Sequence, residues 1–297
     1  MRANRCYALL SLTLAAGLTA APAGAATFFF STGNTDGKLA ALSRPAGAGL
    51  ETETADDFVL TAATKLTSAS FTGLVTGANA PGLVSGVTIE IYRVFPEDSD
   101  VGRTNGPPTF DTPQVPTRVN SPSDVAFTSA DSGGGGLTFS TSGLSGSFTA
   151  LNSVTNGIHP KPGQTTGGDG AVSGVEDLFT VDFTTPIVLG PGHYFFVPQV
   201  EVSGGDFLWL SAPRPIVAPG TAFPSGFNDL QAWIRNEDLA PDWLRIGSDI
   251  TAQGPFNMTF SLTGAAVPEP GAWTLLIAGF AGAGAMLRRR RIALATA

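Results

Sequence analysis

The sequence has few of the residues on which most enzymes and nucleic-acid-binding proteins depend. Its 297 residues include one cysteine and two histidines, and only 13% of them are charged. The formal net charge is −8, with 16 Lys and Arg against 24 Asp and Glu. Phosphate binding needs clustered Lys and Arg, so this balance argues against nucleic acid as a partner. The low charge also disfavours a helical protein, because exposed helix faces are rich in Glu, Lys and Arg.

The common motifs of catalytic sites are missing as well. The chain contains no H-E-x-x-H zinc motif, no G-x-S-x-G nucleophile elbow, and no Walker or dinucleotide glycine pattern. Its two histidines, His159 and His193, are far apart in the sequence and have no catalytic motif around them. We predict that the chain is not an enzyme, and we name no catalytic residue. A glycoside hydrolase needs only two carboxylates at a suitable separation, so a secreted hydrolase stays an alternative.

The chain does contain many glycines, prolines and short alternating segments. It has 37 Gly and 22 Pro, about a fifth of all residues. Between them, apolar and polar residues alternate with the period of half-buried strands, as at 87–92, 179–184 and 256–263. Residues 228–239 are the best candidate for a short helix. The pattern predicts an all-β fold over residues 27–264, a jelly-roll or Ig-like β-sandwich.

The N-terminal segment has the pattern of a secretory signal peptide. Arg2 and Arg5 form a basic start, and the apolar stretch that follows is too short to span a bilayer as a helix. Small residues come next, so we expect cleavage after Ala25 or Ala26. Because Cys6 lies in the removed segment, the mature protein is expected to have no disulfide and no cysteine-ligated metal.

The C-terminal segment carries a second targeting pattern. Pro268, Glu269 and Pro270 precede an uncharged stretch, 271–287, which we predict to be a transmembrane helix with Trp273 at the interface. The four arginines that follow it are Arg288, Arg289, Arg290 and Arg291. Such a cluster holds the far end of a span on the cytoplasmic side. From the residues alone, a plain membrane anchor and a processed sorting signal both remain open.

Together, the motif, the apolar span and the arginines resemble the PEP-CTERM sorting signal, a segment also called the ice-binding protein C-terminal domain. The resemblance covers roughly residues 266–291, under a tenth of the chain. It implies export by the Sec machinery, transient insertion in the inner membrane and recognition by an exosortase, a membrane cysteine protease-transpeptidase. It also implies delivery to the surface of a Gram-negative bacterium, often one that makes exopolysaccharide. Two features depart from the usual pattern: Thr274 follows the tryptophan, and six residues extend past the arginines.

Acidic residues dominate the body once both end segments are removed. It then keeps 10 basic and 23 acidic residues, a net charge of −13, and divalent cations become its natural charge partners. Asp98 and Asp100 alternate in one loop, and Asp169 lies between glycines that permit tight wrapping. Ca²⁺ draws its oxygen ligands from flexible loops of this kind. The EF-hand spacing is incomplete, and solvated turn carboxylates are the alternative interpretation. We predict at most a structural calcium ion and no other cofactor.

Aromatic residues give a signal for carbohydrate binding. The five that could form a platform for sugar rings are Trp209, Trp233, Trp243, Tyr92 and Tyr194. Trp209 lies in an apolar segment and is predicted to be in the core. Trp233 and Trp243 flank the charged run at 235–238, so we expect them nearer the surface and name them as candidates for glycan contact. Packing in the core or under a lid is the interpretation that we prefer for these two, ahead of glycan contact.

These features predict an exported protein of the cell surface or extracellular matrix, sorted through a PEP-CTERM and exosortase pathway. Its expected role is structural or adhesive, in a biofilm or exopolysaccharide setting. The alternatives are a carbohydrate-binding module and, after it, the secreted hydrolase. Residues 54–71 also resemble the opening of β-sandwich modules in exported bacterial proteins. The predicted organisation is a signal peptide over 1–26, a body over 27–264 and a sorting tail over 265–297.

Overall fold

The structure, a computed structural model, consists mainly of β-strands, which confirms the predicted all-β class. It describes residues 26–47, 49–77, 83–101, 120–156, 158, 165–213, 230–267 and 277–288. The strands are β1 (Thr27–Ser31), β2 (Leu39–Leu42), β3 (Thr52–Leu60), β4 (Thr64–Val75), β5 (Val84–Arg93), β6 (Thr128–Asp131), β7 (Leu137–Ala150), β8 (Asn152–Val154), β9 (Val172–Leu189), β10 (Gly192–Val202), β11 (Phe207–Ala212), β12 (Trp233–Asn236), β13 (Leu244–Arg245), β14 (Asn257–Met258) and β15 (Phe260–Ala266). A π-helical turn occupies Ile246–Thr251, and a helix, α1, spans 277–288.

The described strands form one sheet of nine strands and one of six. In the larger sheet β4 is central: β9 pairs with one of its edges, while β15 and β11 share the other. Strand β7 lies beyond β9, β1 lies beyond β15, and β2 and β8 extend the sheet from β11. The order of the smaller sheet is β13-β12-β3-β10-β5-β6. Two stacked sheets are compatible with the predicted β-sandwich.

An aromatic core joins the inner faces of the two sheets. The Phe196 ring, from the six-stranded sheet, lies 5.2 Å from the ring of Phe260 and 6.2 Å from that of Phe71 in the nine-stranded sheet. Phe71 stacks in turn on Phe179 at 5.0 Å. Trp209 is fully buried in the same cluster, which confirms its predicted place in the core. Each such side chain contributes about 1.5–3 kcal/mol through the apolar area that it buries.

The short helix predicted over 228–239 is corrected by the structure. Residues 233–236 form strand β12 and 237–241 form turns, while 228 and 229 lie outside the described residues. Strand β12 pairs with β3 over four residues, from Trp233 opposite Ala55 to Asn236 opposite Thr52. The pairing with β3 overrides the local helical pattern, as tertiary context often does.

The described part of the tail is a helix separate from both sheets. It spans 277–288, and the first residues of the predicted 271–287 transmembrane helix lie outside the described residues. Within the described parts of the chain, no helix is long and apolar enough to cross a membrane. The predicted signal peptide, apart from Ala26, also lies outside the described residues.

Candidate functional site

The outer face of the six-stranded sheet carries a second buried cluster, which is aromatic and charged. Its ring-bearing and aliphatic members are Ala55, Tyr92, Phe195, Val197, Trp233 and Trp243. They alternate along the strands with the residues that face the main core. Two chain segments cover this outer-face cluster. The Trp243 indole N–H donates to the carbonyl of Ser123 at 3.1 Å, which ties the segment after β12 to the segment before β6.

Arg235 and Glu53 form the charged centre of the outer-face cluster. They lie directly opposite each other on β12 and β3, and their side chains are each only 8% exposed. The guanidinium makes two hydrogen bonds to the Glu53 carboxylate, one of them from Nη2 to Oε1 at 3.1 Å. It also lies 4.3 Å from the centre of the Trp243 ring, a cation–π contact. A charge buried this deeply is stable only with such partners.

A second carboxyl group, Glu90, joins the cluster through Tyr92. The Tyr92 hydroxyl oxygen is 2.5 Å from Glu53 Oε1 and 3.0 Å from Glu90 Oε2. The hydroxyl has one proton, so it donates to one of the two carboxyl groups at a time. Burial and then the charge of Glu53 raise the pKa of Glu90 to about 7. Burial also raises the pKa of Tyr92. The cluster of Glu53, Tyr92 and Glu90 can therefore hold a proton on Glu90 near neutral pH.

Glu53 and Glu90 form the kind of carboxyl pair that acid–base sites contain, but Glu53 is not accessible to a substrate. Glu53 is buried and held by Arg235, and the described chain covers the cluster from above. A cavity of about 410 Å³ does open between β6 and the end of β9, lined by residues that include Phe127 and Val188. Neither Glu53 nor Glu90 lines it. The arrangement therefore serves first to fix the covering segments to the sheet.

An Asp–His pair lies on the same face, near the start of β10. His193 Nε2 is 2.9 Å from Asp57 Oδ2, and both side chains are almost completely buried. The imidazole also packs against the ring of Phe195 at 5.2 Å. Sequence reasoning missed this pair and the Arg235–Glu53 pair, whose partners are 136 and 182 residues apart. No local spacing indicates such long-range partners.

The two tryptophans predicted to contact a glycan lie inside the cluster. Trp233 and Trp243 are 0% and 1% exposed, which confirms packing in the core or under a lid and shows that the expected position nearer the surface is wrong. Trp233 lies opposite Arg245 on the neighbouring strand β13, and the Arg245 guanidinium is 4.7 Å from the centre of its ring. The turns after β12 bring Trp243 back over Arg235. Rings enclosed on both faces offer no platform to a sugar.

The three predicted calcium ligands are not brought into one site. Asp98 forms an ion pair with Arg93, whose Nε lies 2.6 Å from Oδ2, and this hydrogen bond lowers the pKa of Asp98. The Asp100 backbone N–H donates to Asp124 Oδ2 at 2.9 Å. The Asp169 carboxylate accepts backbone N–H groups of residues 155 and 156. Among the residues that the structure describes, no three His, Cys, Asp or Glu side chains are grouped to hold a metal ion.

Most of the predicted sorting motif lies outside the described residues. This applies to Pro268, Glu269, Pro270, Trp273, Arg289, Arg290 and Arg291. Arg288 is described as the last residue of α1. Every residue of α1 is exposed, including Ile277 and Phe280 at 66% each. A Cβ atom added at any of the three glycines of α1 would meet nothing within 4 Å. The apolar side chains of α1 thus have no contact surface on the described body.

Both predicted targeting segments leave the body at the same place. Strands β1 and β15 pair antiparallel, with Thr27 opposite Ala265. The backbone N–H of Ala266 donates to the carbonyl of Ala26 at 2.8 Å. Cleavage at the predicted position would therefore fall just before β1 and leave the buried side chain of Phe30 in the core.

Comparisons with protein-family models, with curated proteins and with solved structures found no match to this chain. Two features of the described chain bear on its function: the covered charged cluster on the outer face, and the exposed apolar helix that follows the last strand.

Proposed function

We propose that the chain is an exported cell-surface or extracellular-matrix protein, sorted through a PEP-CTERM and exosortase pathway. Its body, which we infer to be a jelly-roll or Ig-like β-sandwich, would be the cargo. The observation that carries the proposal is the exposed apolar surface of α1, including Phe280 and Met286, beside a body whose core is complete without it. Apolar side chains without a protein partner are favourable in a bilayer rather than in water.

The position of the two ends supports the same route. Because β1 and β15 are neighbours, a signal peptide before Thr27 and a tail after Ala266 would hold one end of the body at the membrane. Pro268 and Pro270 disfavour helix, so they would keep Glu269 on an extended segment where the chain enters the bilayer. The arginines at 288–291 would stop translocation on the cytoplasmic side.

The face of α1 suits contact with a membrane-embedded enzyme. Gly279 and Gly282, three residues apart, lie on one side of α1 and leave a small-residue surface that permits close approach of another helix. An exosortase would recognise the tail there, after transient insertion in the inner membrane, and release the body to the cell surface or the medium. We propose a structural or adhesive role for the body, in contact with exopolysaccharide in a biofilm. Its net charge of −13 would keep the released body soluble.

A secreted hydrolase is the second candidate, because the structure places two carboxyl groups around one tyrosine hydroxyl. Glu53 and Glu90 supply the two carboxyl groups that acid–base hydrolysis of a glycoside uses. Burial of Glu53 and its ion pair with Arg235 speak against it. Assays on a panel of polysaccharides separate the two functions: sugar release that Glu90→Gln abolishes would favour the hydrolase, whereas no release by the wild-type protein is expected.

The sorting proposal is tested by variants of the tail expressed in the native host. Glu269→Ala is expected to leave the uncleaved precursor in the inner membrane, and so is deletion of residues 288–291. Glu237→Ala, which alters an exposed glutamate of the body, is the matched control and is expected to mature normally. Intact mass and cell fractionation provide the readout. Normal maturation of Glu269→Ala and of the deletion variant would contradict the proposed route.

A further inference from the structure

One edge of the nine-stranded sheet is a long strand that has a neighbour on one side only. Strand β7 has 14 residues and, in the described part of the chain, pairs with β9 alone. The other terminal strands of the two sheets are much shorter: β1 has five residues, β6 four, β8 three and β13 two. An unpaired edge presents backbone N–H and C=O groups to any further strand, so proteins commonly keep edges short or charged.

Strand β7 lacks the charge and the proline that usually protect an edge. Its sequence, LTFSTSGLSGSFTA, contains neither. One protection is present, because the register against β9 becomes irregular between Gly143 and Phe148. Such bulges bend and twist a strand away from further pairing. The regular run Leu137–Gly143 is therefore the part that can accept another strand, and residues 140–143 are exposed on both faces of the sheet.

The pattern of the edge favours a second copy of this chain as the occupant, because a two-fold axis at Ser140 would place Thr138 of each copy opposite Ser142 of the other. The body carries a net charge of −13, so two copies repel each other over most of their surfaces. The uncharged run at 137–143 removes this repulsion at the edge itself. On β9, one strand away from the edge, Asp182 lies opposite Thr138 and Asp177 lies opposite Gly143.

We propose that two copies of this chain pair antiparallel through Leu137–Gly143 of β7, so that their nine-stranded sheets join across a two-fold axis. Antiparallel pairing of a strand with its own copy uses the same surface twice and closes as a dimer. Thr138, Ser140 and Ser142 would then form cross-strand hydroxyl pairs on the outer face. This inference goes beyond the sorting proposal and does not depend on it.

Sedimentation velocity of the full chain in mild detergent, over a wide concentration series, tests the dimer. The edge variant is Ser140→Lys/Ser142→Lys. The matched control is Thr180→Lys/Thr184→Lys, which adds two lysines to the same sheet face on β9, where Thr180 lies opposite Ser140. We expect the wild type and the control to dimerise equally. The edge variant should dimerise at least about tenfold more weakly, the equivalent of about 1.4 kcal/mol, because its lysines meet those of the second copy.

Amide hydrogen exchange of the wild-type protein is a second, independent readout. Protection of amides at 137–143 should rise with protein concentration, while amides in β1, at the opposite edge, should keep constant rates. This readout also decides the question if the edge variant fails to fold. A wild-type protein that stays monomeric to near-millimolar concentration would overturn the proposal. So would equal weakening by the edge and control variants, or a dimer with no added protection in β7.

Discussion

The body and the tail contain the same kinds of apolar side chain and place them in opposite surroundings. In the body, Phe196 of the six-stranded sheet is fully buried against rings of the nine-stranded sheet. In the tail, Phe280 is 66% exposed on a helix that packs against nothing in the described body. The difference shows that composition alone does not identify the environment of a segment. The body satisfies its apolar surface internally, whereas the tail needs an apolar partner from elsewhere.

Truncation of one phenylalanine in each region should have the largest difference in effect. Phe196→Ala should lower the free energy of unfolding by about 3–5 kcal/mol, because it leaves a cavity among packed rings. Phe280→Ala should leave that free energy unchanged, since its ring contacts no part of the described body. Denaturant unfolding of the full chain in mild detergent, followed by tryptophan fluorescence, measures both. A comparable loss for Phe280→Ala would mean that the tail packs on the body.

A second test asks whether the charged cluster on the outer face stabilises the body as the inner core does. Arg235→Met should destabilise the body by about 3–5 kcal/mol, because it leaves the Glu53 carboxylate buried without its partner. The double variant Arg235→Met/Glu53→Leu should recover most of the loss, since neither charge then remains. The same unfolding assay applies. A single variant as stable as the wild type would show that Glu53 reaches water.

Replacement of Asp177 should have a smaller effect on the stability of the body, and it should raise that stability. The residue is fully buried on β9, opposite Gly143, and neither carboxylate oxygen has a hydrogen-bond partner among the described residues. Burial raises the pKa of Asp177, so the folded state favours its protonated form. The folded state therefore loses stability as pH rises through this raised pKa. Asp177→Asn should therefore stabilise the body at pH 7, by about 1–3 kcal/mol.

The gain from Asp177→Asn should disappear in acid. Below the usual Asp pKa of 3.8, the wild-type carboxyl is protonated in both the folded and unfolded states. Asp182→Asn, at an exposed position on the same strand, is the matched control and should not change stability at pH 7. A gain that persists unchanged at low pH would rule out the protonation argument.

The smallest effect is expected from Glu90, which is only partly buried. Its pKa is raised from 4.5 to about 7, so its contribution to stability is present below pH 4.5 and is lost as pH rises through 7. Glu90→Gln should flatten the stability profile of the body between these two pH values. Thermal unfolding across that range provides the measurement. Parallel profiles for the variant and the wild type would show that Glu90 ionises as in solvent.

Period-two alternation predicted the strands that have one buried and one exposed face. Val87, Ile89 and Ile91 face the core, as their spacing indicates. The same reasoning could not predict the outer-face cluster, because all nine residues of β3 are buried. On a strand covered from both sides, Glu53 and Asp57 look like solvent-facing positions in the sequence. Only the fold brings Arg235 and His193 to them from more than a hundred residues away.

The tryptophans illustrate the same limit of sequence reasoning. Trp233 is next to a charged run, which is typical of an exposed segment, and this proximity predicted a surface position. In the structure one member of that run, Arg235, is itself buried against Glu53, so its charge does not mark solvent. The tail differs, because a continuous uncharged span with a terminal arginine cluster forms a signal that is local in the sequence.

Intact mass and terminal sequencing of the wild-type protein, recovered by cell fraction from its native host, would decide whether the tail is a processed sorting signal. The sorting account predicts a mature chain that starts at Ala26 or Thr27, ends near residues 268–270 and lies outside the inner membrane. A chain recovered from the inner membrane with residues 271–291 intact would contradict it and make the tail a plain anchor.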